Sequence, residues 1–229
     1  TEIISADSRQ FYKEIPIGTA APSIKELQSI PHHFIHHKSV ADNYSVGQYE
    51  EEALECIKTL HKTHRVVILI GGSGLYINSI LNGLDTFPKI AANIREELNL
   101  ELKTRGIEIL QQELKILDPQ TYAKIDLNNS QRIIRALEIC RGAKQPYSQF
   151  LNKEKKIRAF NVISIGLKAE MTVIYQRINQ RVDKMVEKGL IDEAKSLYNY
   201  RDLNALNTVG YKELFKYFEG AWTIEKAIE

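Results

Sequence analysis

Short unbroken apolar runs predict three strands in this chain. Residues 2–6, 65–70 and 160–167 are rich in isoleucine and valine. Such runs are typical of strands that are buried on both faces in a parallel sheet. The second run leads into a glycine-rich turn and then a helical pattern, which is the order of a βα unit. The pattern therefore predicts an α/β fold built on a mainly parallel sheet.

Apolar residues spaced three or four apart predict helices in much of the remaining chain. Ser45 is a candidate N-cap for the first long helix, and Gly189 is expected to interrupt the last. A polar loop is expected over residues 142–156. The predicted helical segments are 45–63, 75–81, 93–117, a short helix from Asp118-Pro119, 130–141 and 170–198.

The strand pattern is absent between residues 85 and 130, and Pro88 marks a break. We therefore expect an α/β core that is interrupted by a helical insertion. The predicted boundaries are 1–86 for the first part of the core, 87–129 for the insertion and 130–229 for the rest of the core.

The composition is that of an ordinary globular protein, with 43% hydrophobic residues, 26% charged residues and a net charge of +2. This charge excludes a strongly basic tail but leaves room for a local basic face. No apolar run reaches the ~20 residues of a membrane span, so we expect no membrane contact and a cytoplasmic location. Cys56 and Cys140 lack the spacing of metal ligands, and we expect them in the core and no protein metal site.

Asp7 is the first candidate for chemistry, because it directly follows the first predicted strand. In open α/β sheets, ligands bind outside the carboxyl ends of the strands. An aspartate at such a position either forms a turn or acts as a general base. The residues alone leave both interpretations open.

The glycine-rich loop after the second strand spans residues 71–74 and leads into a helix. Backbone amides in such a loop can face a phosphate group at the helix N-terminus. Many βα turns contain glycine for purely conformational reasons, so the loop by itself is weak evidence for a ligand.

Two predicted helices carry paired arginines. Arg132 and Arg135 are three residues apart, and Arg177 and Arg181 are four apart, so the members of each pair share a helix face. Arginine pairs suit phosphate contacts. The alternatives are a solvated basic face for the first pair, and ion pairs with Asp183 or Glu187 for the second.

These segments together resemble the tRNA dimethylallyltransferases (tRNA isopentenyltransferases), which transfer a five-carbon prenyl group to N6 of adenine 37, next to the anticodon of tRNA. The similar motifs occur in the family's order over nearly the whole chain. They are Asp-Ser-x-Gln at 7–10, Gly-Gly-Ser-Gly-Leu-Tyr at 71–76, Gln-Arg-x-x-Arg-Ala-Leu-Glu at 131–138, the arginine pair within 175–183 and Thr-x-Gly-Tyr-Lys-Glu at 208–213.

The resemblance implies a P-loop-NTPase-like core and gives each motif a role. It implies that Asp7 is the catalytic base and that Arg181 stabilises the leaving diphosphate. A packed tyrosine in a structural turn is the alternative for Tyr211. The implied tRNA contacts are Ser8, Gln10, Gln131, Arg132, Arg135, Tyr211 and Lys212, and the implied diphosphate and prenyl channel comprises Gly71, Gly72, Ser73, Gly74, Tyr76 and Arg177.

The sequence also departs from the family's pattern. Ala21 stands where the family commonly has a lysine. The family's phosphate-binding loop lies roughly twenty residues upstream of the Asp-Ser-x-Gln motif, and a basic final helix follows the last motif. We expect this sequence to lack both that loop and that helix.

The resemblance implies that dimethylallyl diphosphate is the donor, that the anticodon stem-loop of a tRNA is the acceptor and that pyrophosphate leaves. We expect Mg²⁺ to accompany the diphosphate, and a monomeric enzyme. Two alternatives remain: a small-molecule or nucleotide kinase on the same core, which would need ATP, and a non-catalytic RNA-binding module, which would not need Asp7 for chemistry.

Overall fold

The computed structural model of the protein describes residues 1–151 and 156–229. The chain forms two compact units, one of residues 1–83 and 158–229 and the other of residues 84–157. The strands are β1 (Ile3–Ser5), β2 (His32–His33) and β3 (Ile68–Ile70). The α-helices are α1 (Ile24–Ser29), α2 (Val46–Leu60), α3 (Gly74–Asn82), α4 (Ala92–Arg105), α5 (Ile107–Leu117), α6 (Pro119–Tyr122), α7 (Ser130–Ala143), α8 (Met171–Glu187), α9 (Leu190–Ser196), α10 (Tyr211–Phe218) and α11 (Ile224–Ile228).

The first unit is built on a parallel sheet in the order β2-β1-β3. Ile3 of β1 lies opposite His32 on one side and Ile68 on the other. Ile4 is fully buried beneath an aromatic core that includes Tyr49. The Tyr49 hydroxyl donates a 3.0 Å hydrogen bond to the Ser5 carbonyl, so α2 is fixed to the end of β1.

Several predicted elements are confirmed. The first two predicted strands are β1 and β3, and α2 begins after Ser45, whose Oγ accepts a hydrogen bond from the Gln48 amide. Gly189, with φ of 98°, separates α8 from α9. A left-handed backbone of this kind favours glycine, which explains why the long helical pattern breaks there.

The third predicted strand is wrong. Residues 160–167 form no strand, and Ile163 and Leu167 are 89% and 99% exposed. A strand needs the backbone hydrogen bonds of a neighbour, and no part of the described chain pairs with this segment. The strand that the sequence did not predict is β2, because its two histidines lack an apolar pattern.

The second unit is a helical cluster around Leu98, Leu110, Leu114, Ile133 and Leu137, each of which is fully buried. These residues come from α4, α5 and α7, so the helical unit extends past the predicted boundary at residue 129. The boundary differs because the apolar face of α7 packs against α4 and α5 rather than against a sheet.

Arg141 of α7 adds ionic cross-links to this cluster. Its guanidinium lies 2.8 Å from Glu101 of α4 and 2.6 Å from Glu113 of α5. The hydrogen bonds from Arg141 lower the pKa of Glu101. Charge-assisted bonds of this geometry are the stronger kind, so one arginine holds three helices together.

Part of the predicted loop over 142–156 is a 3₁₀ turn, Tyr147–Phe150, and residues 152–155 of that loop lie outside the described residues. Within the described chain, no helix combines the length and apolar character needed to cross a membrane.

Candidate active site

The site forms where two parallel strands end side by side. The Ala6 amide, just after β1, donates a 2.7 Å hydrogen bond to the carbonyl of Ile70, the last residue of β3. Gly71 then passes so close to Ala6 that a Cβ at position 71 would lie 2.5 Å from the Ala6 carbonyl oxygen. The first glycine of the loop is therefore required by the approach of two backbones.

The loop after β1 is joined to the glycine loop after β3. The Ser8 amide donates a 2.9 Å hydrogen bond to Ser73 Oγ. Gly72 and Gly74 have no atom within 4 Å of a Cβ built on them, so both face open space. The two motifs predicted from distant parts of the sequence thus lie together at one edge of the sheet.

Only one of the two carboxylate oxygens of Asp7 accepts hydrogen bonds within the described chain. Its Oδ1 accepts hydrogen bonds from the Arg9 amide at 2.8 Å and from the Gln10 amide at 3.1 Å. Within the described chain, Oδ2 has no hydrogen-bond partner. The two interpretations of Asp7 are compatible, because one oxygen forms the turn and the other remains available to accept a proton.

Gln10 connects this turn to the segment that follows. Its Nε2 donates to the carbonyls of Thr19 at 3.2 Å and Ala20 at 3.3 Å, and its Oε1 accepts from Ser5 Oγ at 3.3 Å. Arg181 of α8 donates to the same Thr19 carbonyl at 3.4 Å. Gln10 therefore connects the Asp7 turn to the 19–20 segment, to which Arg181 is also hydrogen-bonded.

The second arginine pair does not form the ion pairs that were the alternative to a phosphate-binding role. Arg177 and Arg181 form no ion pair with Asp183, Glu187 or any other acid in the described chain. Guanidinium groups without an acidic partner are suited to an external anion.

Glu193 is a functional residue that the sequence did not single out. Its carboxylate accepts hydrogen bonds from the amides of Ile17 and Gly18, both at 2.9 Å, and from the Tyr211 hydroxyl at 2.5 Å. These bonds fix the segment that leads to Thr19. In the sequence, Glu193 ends the run Gly-Leu-Ile-Asp-Glu at 189–193, which also resembles the pattern of the family named above.

The ring of Tyr211 is fully buried, which favours the alternative of a packed tyrosine over a contact with tRNA. Burial, with the Glu193 hydrogen bond, raises the pKa of Tyr211. Tyr76 is also mainly a core residue, 9% exposed and packed 4.9 Å from the Tyr49 ring. Lys212, next to Tyr211 in α10, is exposed and stays a candidate for a phosphate contact.

The predicted RNA-binding residues of the second unit lie on α7. Arg135 donates to Glu138 at 3.0 Å and lies over the Phe87 ring at 5.1 Å. Gln131 accepts a 3.2 Å hydrogen bond from Arg95. Arg132 is exposed, and its side chain has no hydrogen bond or ion pair within residues 1–151 and 156–229. Of the three predicted contacts, Arg132 is therefore the most available to a ligand.

The side chains that commonly bind metal ions do not cluster within the described residues. Among the residues that the structure describes, no group of three histidine, cysteine, aspartate or glutamate side chains is arranged to hold a metal ion.

Comparison with known proteins gives a consistent result over the whole chain. The family model described as IPP transferase matches residues 10–229. The chain is 54% identical over 228 residues to the tRNA dimethylallyltransferase of Christiangramia forsetii, covering all of this chain and 76% of that protein. It is 54% identical over 234 residues to the protein of the same name from Flavobacterium johnsoniae, with the same coverage.

Solved structures agree with these sequence relatives. The tRNA isopentenylpyrophosphate transferase of Bacillus halodurans is 38% identical, with a TM-score of 0.65 over 99% of this chain and 72% of that one. A eukaryotic dimethylallyltransferase described as acting on tRNA is 26% identical, with a TM-score of 0.79 over 99% of this chain and 58% of that one. The fold is therefore the P-loop-like fold of these enzymes, as predicted.

The contact between Gly71 and Ala6 predicts unequal effects of two matched substitutions. Gly71→Ala should lower the free energy of unfolding by about 2 kcal/mol or more, because its methyl group would overlap backbone that cannot move aside. Gly72→Ala, one residue on, should change stability by less than about 0.5 kcal/mol, since its methyl group enters open space. Urea unfolding followed by circular dichroism measures both. Equal stability of the two variants would contradict the described packing.

Proposed function

Because the chain belongs to the IPP transferase family, we propose that it transfers a dimethylallyl group from dimethylallyl diphosphate to N6 of the adenine next to the anticodon of tRNA. The relatives that match the full chain are named for this reaction. Their names favour prenyl transfer over the kinase and over a purely RNA-binding module. A tRNA substrate also agrees with the cytoplasmic location expected from the sequence.

The free oxygen of Asp7 is the observation that carries the mechanism. The N6 amine of adenine is a poor nucleophile, because its lone pair is delocalised into the ring. As N6 attacks C1 of the prenyl group, the bond from C1 to the diphosphate oxygen breaks, and the N6 proton passes to Asp7 Oδ2. Oδ1 stays bound to the Arg9 and Gln10 amides, so the base is held in place during the transfer.

Arg181 and the glycine loop are suited to the leaving group. The negative charge on the diphosphate grows as the C1–O bond breaks, and a guanidinium aimed at that charge stabilises the transition state. Arg181 lies beside the 19–20 segment through its bond to the Thr19 carbonyl. Arg177 is one helical turn away on the same face, and the glycine loop lies next to Asp7 through the Ser8–Ser73 bond.

Magnesium is proposed to enter with the diphosphate. Mg²⁺ commonly keeps several waters and binds substrate phosphates with only one or two protein ligands. The lack of a three-ligand cluster among the described residues is compatible with this arrangement. When bound, the ion would neutralise part of the diphosphate charge.

The RNA is proposed to contact both units. Arg132 in the second unit and Lys212 in the first are exposed cations in the predicted motifs. Arginine and lysine side chains of this kind bind the phosphate backbone without reading its sequence. Ser8, which directly follows Asp7, is proposed to face the target base.

Replacement of Asp7 tests the proposed base. Asp7→Asn keeps the carbonyl oxygen that accepts from the Arg9 and Gln10 amides, but it removes the basic oxygen. The single-turnover rate of prenyl transfer by the full-length protein should fall by about 10²–10⁴-fold, while the affinity for an anticodon stem-loop changes little.

Asp192→Asn is the matched control, because Asp192 is an exposed residue of α9. It should leave the rate unchanged. An Asp7→Asn variant that transfers the prenyl group at the rate of the unmodified protein would sink the assignment of the base.

Arg132→Ala should weaken binding of the anticodon stem-loop and reduce the salt dependence of log K by about 0.7–1, the effect of one lost phosphate contact. Arg105→Ala removes another arginine of the second unit, outside the predicted motifs, and should leave the salt dependence unchanged. The measurement is a fluorescence-anisotropy titration at several salt concentrations. If the two variants have the same slope, Arg132 is only a solvated surface residue.

A further inference from the structure

A pocket of about 540 Å³ lies in the first unit, between α8 and the segment that precedes α1. One of its walls is formed by Arg177, Arg181 and Lys184 of α8 and by Lys188, the residue directly after that helix. Their spacing of four, three and four residues places them on one face of the helix. The pocket therefore has a continuous cationic wall.

The cations of this wall form no close ion pair within the described chain. None of the residues that line the pocket is acidic. The acids nearby lie outside the pocket lining: Glu26, which interacts electrostatically with Lys188, accepts a hydrogen bond from the Ser23 amide, and Glu193 accepts from the amides of Ile17 and Gly18. On a chain with a net charge of only +2, this concentration of positive charge favours an anionic ligand.

The rest of the lining is apolar. Ile17, Pro22, Ile24 and Met185 contribute to the pocket, and Ile24 is 75% exposed. A free phosphate would use only the cations. The combination of an apolar surface and a cationic wall instead suits a ligand that carries both a flat apolar group and a phosphate, such as a nucleotide.

The pocket adjoins the candidate active site. Ala20 and His36 line it, and both are bonded to Gln10: Gln10 Nε2 donates to the Ala20 carbonyl at 3.3 Å, and the His36 amide donates to the Gln10 carbonyl at 3.0 Å. The Gln10 amide in turn donates to Asp7 Oδ1. Gln10 is therefore hydrogen-bonded both to Asp7 and to two residues that line the pocket.

The length of the cationic wall favours an RNA strand over the prenyl donor. Lys188 follows Arg177 by eleven residues, which is a rise of about 16 Å along the helix axis. A diphosphate is much shorter than this, whereas successive phosphates of a strand can follow it. Arg177 and Arg181 would meet the leaving group at one end, and Lys184 and Lys188 would remain for the strand.

We propose that this pocket binds a nucleotide adjacent to the target adenine, with Lys184 and Lys188 on its phosphate and the apolar residues against its base. The inference rests on the proposed function, since it needs an RNA whose adenine reaches Asp7. Holding the neighbouring nucleotide here would keep the target base turned out of the stack and towards Asp7.

The test compares two double variants of the full-length protein. Lys184→Ala/Lys188→Ala removes the cations proposed to bind the strand, and Lys62→Ala/Lys195→Ala removes two exposed lysines outside the pocket. The first should weaken binding of an anticodon stem-loop about tenfold and reduce the slope of log K against log salt by about 0.7, as expected when the contact with one phosphate of a single strand is lost. The second should bind like the unmodified protein, and both should keep its KM for dimethylallyl diphosphate.

Stem-loops with one methylphosphonate, which removes a single phosphate charge, locate the contact. Neutralising a phosphate beside the target adenine should weaken binding to the unmodified protein but not further weaken binding to Lys184→Ala/Lys188→Ala. Normal RNA binding by this variant, or a raised KM for the donor instead, would overturn the inference and leave the proposed function intact. If the unmodified protein neither binds nor modifies the stem-loop, both proposals fail.

Discussion

The approach of two strand ends is the constraint on which the site depends. Gly71 passes Ala6 with no space for a side chain, and the hydrogen bond from Ala6 to Ile70 fixes the relative position of the two strands. Because the strands are parallel, both following loops emerge at the same edge. The bond between Ser8 and Ser73 then joins the loop that carries the base to the loop that is suited to phosphate. A shift in strand register would separate the two.

A short chain of hydrogen bonds connects this edge of the sheet to α8. Asp7 holds the Gln10 amide, the Gln10 side chain holds the Thr19 carbonyl, and Arg181 donates to that same carbonyl. Glu193 supports the chain from behind, because it binds the backbone just before Thr19 and the buried Tyr211 hydroxyl. One network of hydrogen bonds therefore positions Asp7, Arg181 and the pocket, although the residues involved are far apart in sequence.

Local patterns predicted the parts of this arrangement that local forces determine. β1, β3, the glycine loop and the break at Gly189 each follow from a run of apolar residues or from a backbone that only glycine adopts easily. The failures all concern tertiary partners. Residues 160–167 have the apolar pattern of a strand but no strand beside them in the described chain. The apolar face of α7 did not reveal that it packs in the helical unit. The sequence left the packed and the tRNA-contacting interpretations of Tyr211 open, and its burial favours the first. Glu193 was missed because its partners are backbone amides that sequence does not reveal.

The central claim is that the free oxygen of Asp7 accepts the proton of the target amine. A crystal structure of the full-length protein with an anticodon stem-loop and an unreactive analogue of dimethylallyl diphosphate tests it most directly. The account predicts that adenine N6 lies about 2.6–3.2 Å from Asp7 Oδ2, while Oδ1 keeps its bonds to the Arg9 and Gln10 amides. An adenine amine beyond the reach of Asp7, with another carboxylate or the RNA itself beside N6, would contradict it.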